Sequence, residues 1–152
     1  MAEPRLTESL AARAASAAAL LQVARRTHLA PLGVENFFEL FLSFVPEFEP
    51  LFREHVSDNQ AVLPHVLMGD VARFLEDSLS SPAPAPLSSA ARGVLARAAA
   101  VLEAGMRSPD PRLQELVSVG FLEGVESEPY MPRLVPFLGR ALRRELRARR
   151  LS

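Results

Sequence analysis

The segment LPHVLMGDVARFLEDSL, residues 63–79, decides the fold class, because its apolar residues recur with the period of an α-helix. On a helical wheel, one arc holds Leu63, Val66, Leu67, Val71, Phe74 and Leu75. The acidic Asp70 falls inside this arc, and Arg73 follows it three residues later. We therefore predict a helix from about Val62 to Leu79 that buries one face against the rest of the protein.

Asp70 is the unusual residue of this helix, since burying an unpaired carboxylate costs several kcal/mol. We interpret it as a structural, partly buried acid that pairs with Arg73 or with an arginine of another helix. Two alternatives remain open: a group that reaches a basic partner from the rim of a cleft, and a catalytic acid. His65 lies on the opposite side of the helix, so the two cannot act together as a dyad.

The rest of the chain shows the same helical periodicity, and no segment alternates with the period of two that strands need. Further helices are predicted over 7–27, 34–45, 88–106, 110–125 and 132–148, with one or two short helical turns in PEFEPLFREH, residues 46–55. Ser88 and Asp110 are expected N-caps. A loop rich in proline, serine and alanine covers about 80–88. The sequence therefore predicts an all-α fold: residues 1–152 form a single-domain bundle or stack of about six antiparallel helices.

Glycines four residues apart, Gly120 and Gly124, share the apolar face of the helix predicted over 110–125. Small residues at this spacing let a neighbouring helix approach closely. We therefore expect both glycines to serve core packing.

Composition excludes several kinds of chemistry. The chain has 152 residues, of which 49% are hydrophobic and 23% charged, as in an ordinary globular protein, and it contains no cysteine. Disulfides, thiolate nucleophiles and cysteine-bound zinc are therefore excluded. The three histidines (His28, His55 and His65) lack the spacing of a metal site, and there is no phosphate-binding loop or nucleophile elbow. We expect a protein that is not an enzyme, with no catalytic residue, metal or cofactor.

The start of the chain does not have the pattern of a signal peptide, since the apolar stretch AASAAALL lacks a basic leader and a clear cleavage site. No stretch reaches the roughly 18 apolar residues of a membrane span. We therefore expect a cytoplasmic protein without membrane contact.

The charges are distributed unevenly, although the formal net charge is only −1. Residues 29–82 contain nine acids and two arginines, whereas residues 133–152 contain seven arginines and one acid. The candidate contacts for a basic partner are Glu35, Glu39, Glu47, Glu49, Glu54 and Asp58. The alternative is a solvated face that keeps the protein soluble. We interpret the Arg-rich end as a solvated helix end that pairs with the acidic half, and the low net charge argues against nucleic acid as a partner.

Four segments also carry a family resemblance: FFELFLSFVPEFEPLFREHVSDNQ (37–60), LPHVLMGDVARFLEDSL (63–79), VLEAGMRSPDPRLQELVSVGFLEGV (101–125) and LVPFLGRALRRELR (134–147). Their order over residues 34–147 resembles a group of small, all-helical bacterial proteins of uncharacterised biochemistry, which look like immunity proteins that accompany polymorphic toxins. The resemblance implies a protein that neutralises a cognate toxin domain by tight binding and needs no active site.

Two other functions are compatible with the sequence. One is a helical regulatory or scaffold module that holds a peptide or helix, for which binding should be insensitive to salt. The other is a nucleic-acid-binding regulator that uses the Arg-rich C-terminal helix, for which binding should depend steeply on salt. The sequence does not specify an oligomeric state.

Overall fold

The computed structural model describes residues 31–79 and 86–151, and these residues form helices and turns without any strand. The elements in chain order are α1 (Phe37–Phe44), a 3-10 turn (Pro46–Phe48), α2 (Glu49–Asn59), α3 (Pro64–Leu79), α4 (Ser89–Met106), α5 (Pro111–Glu115), a π-helix (Leu116–Leu122), α6 (Glu123–Val125), α7 (Met131–Leu134), a 3-10 turn (Val135–Phe137) and α8 (Arg140–Leu151). The all-α prediction is confirmed. The helix expected over 7–27 and most of the loop expected at 80–88 lie outside the described residues.

An aromatic cluster joins the first half of the described chain. The rings of Phe37 and Phe41 stack with their centroids 6.2 Å apart, and Phe48 meets Phe41 edge-on at 5.4 Å. Phe74 of α3 meets Phe48 at 5.3 Å. Because such ring pairs add to the free energy of burial, they hold α1, the 3-10 turn and α3 together.

α3 packs most closely against the π-helix, and Gly120 makes this contact possible. A Cβ atom at Gly120 would lie 3.1 Å from the side chain of Met68, tighter than ordinary van der Waals contact. The expectation for Gly124 is wrong, because nothing lies within 4 Å of the place its Cβ would occupy. Only the first of the two glycines therefore serves close packing.

The buried face of α3 is rotated from the predicted arc. Its buried residues are Leu67, Met68, Val71, Ala72, Leu75 and Leu79. Leu63 and Val66, which we expected to be buried, are exposed. The reason is that the π-helix and α4 cover the side of α3 that carries Met68 and Ala72 and leave the opposite edge of the apolar arc open.

Two helix boundaries differ from the predictions. The short turns expected in residues 46–55 are a 3-10 turn followed by an eleven-residue helix, because Pro50 stands in the first turn of α2, where a missing N–H breaks no bond. The single helix expected over 132–148 is interrupted at Leu138, whose backbone is extended. α8 restarts after Gly139, where Glu103 of α4 accepts hydrogen bonds from the backbone N–H groups of Ala141 and Leu142.

The carboxylate of Glu103 explains why Gly139 stands at this break. A Cβ atom at position 139 would lie 2.5 Å from the side-chain carbon Cδ of Glu103. Glycine therefore allows a side chain of α4 to cap the N-terminus of α8, which fixes the position of the last helix.

Asp110 joins the first described residues to the helix that follows α4. As predicted, it caps α5, accepting from the N–H of Arg112 at 3.0 Å. Its other oxygen accepts from the N–H of Val34 at 3.1 Å, and the guanidinium of Arg112 also bonds Glu35 at 2.7 Å. These hydrogen bonds hold the pKa of the Asp110 carboxyl below its ordinary value of 3.8. The largest contribution to this lowering comes from the side chain of Arg112.

The polar segments of the π-helix and α8 are also tied together. Ser118 donates to Glu145 at 2.7 Å, and Arg149 bonds both Ser118 at 3.1 Å and Glu126 at 2.6 Å.

No helix of the described residues is long and apolar enough to cross a membrane.

We predict that Asp110→Asn flattens the acid limb of the stability curve. Since the folded-state pKa is lowered, this carboxylate stabilises the fold above its ordinary pKa of 3.8, and the stabilisation is lost as the pH falls through the folded value. Melting temperatures measured from about pH 6 to about pH 2 should therefore fall less steeply for the variant than for the wild type. Asp58→Asn, at an exposed position without an ion pair among the described residues, is the matched control. If the melting temperatures of the wild type and of Asp110→Asn fell equally steeply with pH, a lowered pKa of Asp110 would be contradicted.

Candidate protein-binding surface

The buried imidazole of His55 fixes the corner between α2 and α3. Only 4% of this residue is exposed. Its Nε2 atom accepts a hydrogen bond from the backbone N–H of Leu63 at 3.0 Å, so the ring proton belongs to Nδ1. Asn59 bonds the backbone carbonyl of His55 at 2.9 Å. The side chain of one helix thus satisfies a backbone donor at the start of the next.

Asp70 completes this corner from the side of α3. Its Oδ2 atom lies 3.5 Å from Nδ1 of His55, and its Oδ1 atom accepts from the guanidinium of Arg73. The Asp70 side chain is 20% exposed, so it is partly rather than fully buried, and Arg73 is mostly exposed. The sequence identified Arg73 as a partner but missed His55, because no periodicity relates a residue of α2 to one of α3.

The chain between the two helices is held in an unusual backbone conformation. Gln60 ends α2 with φ 56° and ψ 26°, and it is the one non-glycine residue with positive φ in the described part of the chain. Its N–H still bonds the carbonyl of Val56, at 2.6 Å. This left-handed turn aims the following residues into solvent before α3 begins.

Apolar side chains cluster at this corner without cover. The exposed fractions of Val62, Leu63 and Val66 are 44%, 40% and 51%, and the remaining large exposed apolar residue of the described ranges is Val119 of the π-helix. The exposed acids Glu54 and Asp58 lie one turn apart in the second half of α2, the helix that leads into this corner. We call the side chains of Glu54, Asp58, Val62, Leu63 and Val66 the corner surface.

The six acids predicted as partner contacts do not form a single group. Glu35 is paired with Arg112 at 2.7 Å, and Glu47 with Arg97 of α4 at 2.8 Å. The bonds from Arg97 hold the pKa of the Glu47 carboxyl below its ordinary value. Glu49 forms an exposed pair with Arg53 on its own helix.

The other three acids have no ion pair among the described residues. Glu39 lies on α1, whereas Glu54 and Asp58 lie on α2. All three are exposed and free to meet a partner. Counting charges along the sequence could not distinguish these three acids from Glu35, Glu47 and Glu49, which form ion pairs within the fold.

No three histidine, aspartate or glutamate side chains lie close enough together to hold a metal ion in the described part of the chain. The open cleft that Leu138 and arginines of α8 line contains no general acid or base. The corner surface combines exposed apolar side chains with exposed acids, and these features suit binding of another protein.

We predict that Asp70→Asn lowers the free energy of unfolding by about 1 kcal/mol, because it weakens the contacts with both Arg73 and His55. The melting temperature should fall by about 3 °C. Arg73→Gln is the control and should cost less, since the guanidinium is mostly exposed. An unchanged melting temperature for Asp70→Asn would contradict a structural role.

We also predict that Gln60→Gly raises the free energy of unfolding, by up to about 1 kcal/mol, because glycine adopts the left-handed conformation without steric cost. Chemical denaturation of the purified protein measures the change. Ala61→Gly, at the next residue and with negative φ, should instead be mildly destabilising through the entropy of the unfolded chain. Destabilisation by both substitutions would exclude strain at Gln60.

Comparison with known proteins identifies the family but no characterised relative. No curated protein and no solved structure matches the chain. Residues 38–151 match the family described as Domain of unknown function (DUF7674). The matched part is about three quarters of the chain, and it contains the corner surface and the Arg-rich α8. The chain therefore belongs to the DUF7674 family.

Proposed function

We propose that this protein is an immunity-type inhibitor: it binds a basic cognate toxin domain in the cytoplasm and blocks it without catalysing a reaction. The observation that carries the proposal is the corner surface, where uncovered apolar side chains stand beside exposed acids. Inhibition by binding requires a preorganised surface rather than converging catalytic groups.

The apolar part of the surface would supply the centre of the contact. α3 has a wider apolar arc than its neighbours cover, so Leu63 and Val66 remain in water at a free-energy cost. A partner that covers them removes this cost, and such central apolar contacts carry much of the binding free energy in protein interfaces.

The acidic part of the surface would favour a basic partner. Glu54 and Asp58 are exposed and lack an arginine partner among the described residues, so their negative potential acts outward. Opposite charges at the edge of an interface raise the association rate and select against neutral or acidic competitors.

Rigidity at the corner also supports binding. The hydrogen bond from Leu63 to His55 and the contact of His55 with Asp70 fix the surface before the partner arrives. Preorganisation reduces the conformational entropy that binding must overcome.

The direct test is to express any toxin domain that a neighbouring gene encodes, to measure growth rescue by co-expression of this protein, and to measure binding of the purified pair by calorimetry. We predict that Val66→Arg abolishes rescue and weakens binding by at least about 10-fold, because it replaces a central apolar contact with a charge that repels a basic partner. The double variant Glu54→Gln/Asp58→Asn should bind more slowly, and its affinity should depend less on salt.

The matched control is Glu115→Gln/Glu128→Gln, which removes two acids outside the corner surface and should leave rescue and affinity unchanged. The absence of any complex with the wild-type protein would overturn the proposal. Tight binding that is insensitive both to salt and to Glu54→Gln/Asp58→Asn would instead favour a regulatory or scaffold module.

A further inference from the structure

The arginines of α8 fall into two sets that face different surroundings. At about 100° per residue, five of them occupy an arc of about 120°. These five are Arg140, Arg143, Arg144, Arg147 and Arg150, and all are exposed. Leu142 and Leu146 lie on the other side and are buried. Arg149 also lies away from the exposed arc, bonded to Glu126 and Ser118.

Three arginines of the exposed set line an open cleft. The cleft has a volume of about 320 Å³, and its walls are Leu138, Arg140, Arg143 and Arg147. Arg143 donates to the backbone carbonyl of Val135 at 3.1 Å, so its guanidinium is held beside the break that precedes α8. The remaining N–H groups of these side chains are available to a ligand.

The cleft arginines lack an ion-pair partner within the described residues. Five other arginines of those ranges form ion pairs with carboxylates, namely Arg53, Arg73, Arg97, Arg112 and Arg149. No such ion pair involves the three cleft arginines. Three guanidinium groups at one cleft repel one another, and an anion bound between them would remove that repulsion.

Glu103, which caps the same helix, forms no ion pair with the cleft arginines among the described residues. Its two oxygens accept from the backbone N–H groups of Ala141 and Leu142 at 2.8 and 3.0 Å. This carboxylate therefore occupies the N-terminus of α8, so an anion in the cleft must be held by side chains.

We propose that the cleft formed by Arg140, Arg143 and Arg147 binds phosphate groups, and that their source is the backbone of a nucleic acid duplex. The planar guanidinium group matches phosphate oxygens in pairs, which suits this cleft to phosphate. Arg144 and Arg150 continue the charged stripe, so the set spans about 15 Å along the helix, enough for successive phosphates. The stripe contains no aromatic residue for base stacking, which favours a duplex over a single strand.

The test is fluorescence anisotropy of a labelled duplex of about 20 base pairs titrated with the full-length protein. With three phosphates contacted, the affinity should fall by about 40-fold between about 50 and 200 mM NaCl. The double variant Arg140→Gln/Arg147→Gln should bind about 10-fold more weakly at the lower salt, with a salt slope reduced by about two. It retains Arg143 and its bond to Val135.

The matched control is Arg53→Gln/Arg92→Gln, which removes two exposed arginines outside α8 and should bind as the wild type does. Equal weakening by both double variants would overturn the proposal, because it would show an effect of net charge rather than of the cleft. Calorimetric titrations of the wild type and the cleft variant with sodium pyrophosphate distinguish the source. Pyrophosphate binding that the cleft variant loses, without duplex binding, keeps the phosphate site and overturns nucleic acid as its source. Binding of neither ligand overturns the phosphate site.

Discussion

The hydrogen bond from the backbone N–H of Leu63 to Nε2 of His55 ties the start of α3 to the interior of α2. If the buried ring of His55 moved away, the backbone N–H of Leu63 would lose its acceptor, which would cost about 1–3 kcal/mol. The ring therefore has little freedom to move. Asp70 reaches the other ring nitrogen and Gln60 turns the chain between the helices. This arrangement fixes how the start of α3, with the exposed side chains of Leu63 and Val66, lies against α2.

Charge has two separate uses in this protein. Some pairs join segments distant in the chain: Arg112 links α5 to the residues before α1, and Arg97 links α4 to the turn after α1. Other charges point outward, among them Glu54 and Asp58 at the corner surface and the five exposed arginines of α8. Two charged surfaces of opposite sign are compatible with two kinds of ligand, a basic protein and a phosphate backbone, because each surface attracts what the other repels.

Much of the fold could be read from the sequence, because it depends on local rules. Helical periodicity marked α3 and α4, and the caps Ser88 and Asp110 were identified from residue type and position. The same rules failed where a distant side chain intervened. The carboxylate of Glu103 caps the N-terminus of α8 after Gly139, where the helix restarts. No pattern within residues 132–148 indicates that a side chain of α4 lies at this point.

The candidate site shows the same division. The amino-acid sequence alone shows the excess of acid in residues 29–82, the excess of arginine in residues 133–152 and the presence of Asp70 among apolar residues. The packing of the helices settles which acids are paired, which edge of the apolar arc stays uncovered and that His55 meets Asp70. Periodicity fixes the direction of a side chain relative to its own helix, whereas its burial and its partner depend on which other helix packs against that direction.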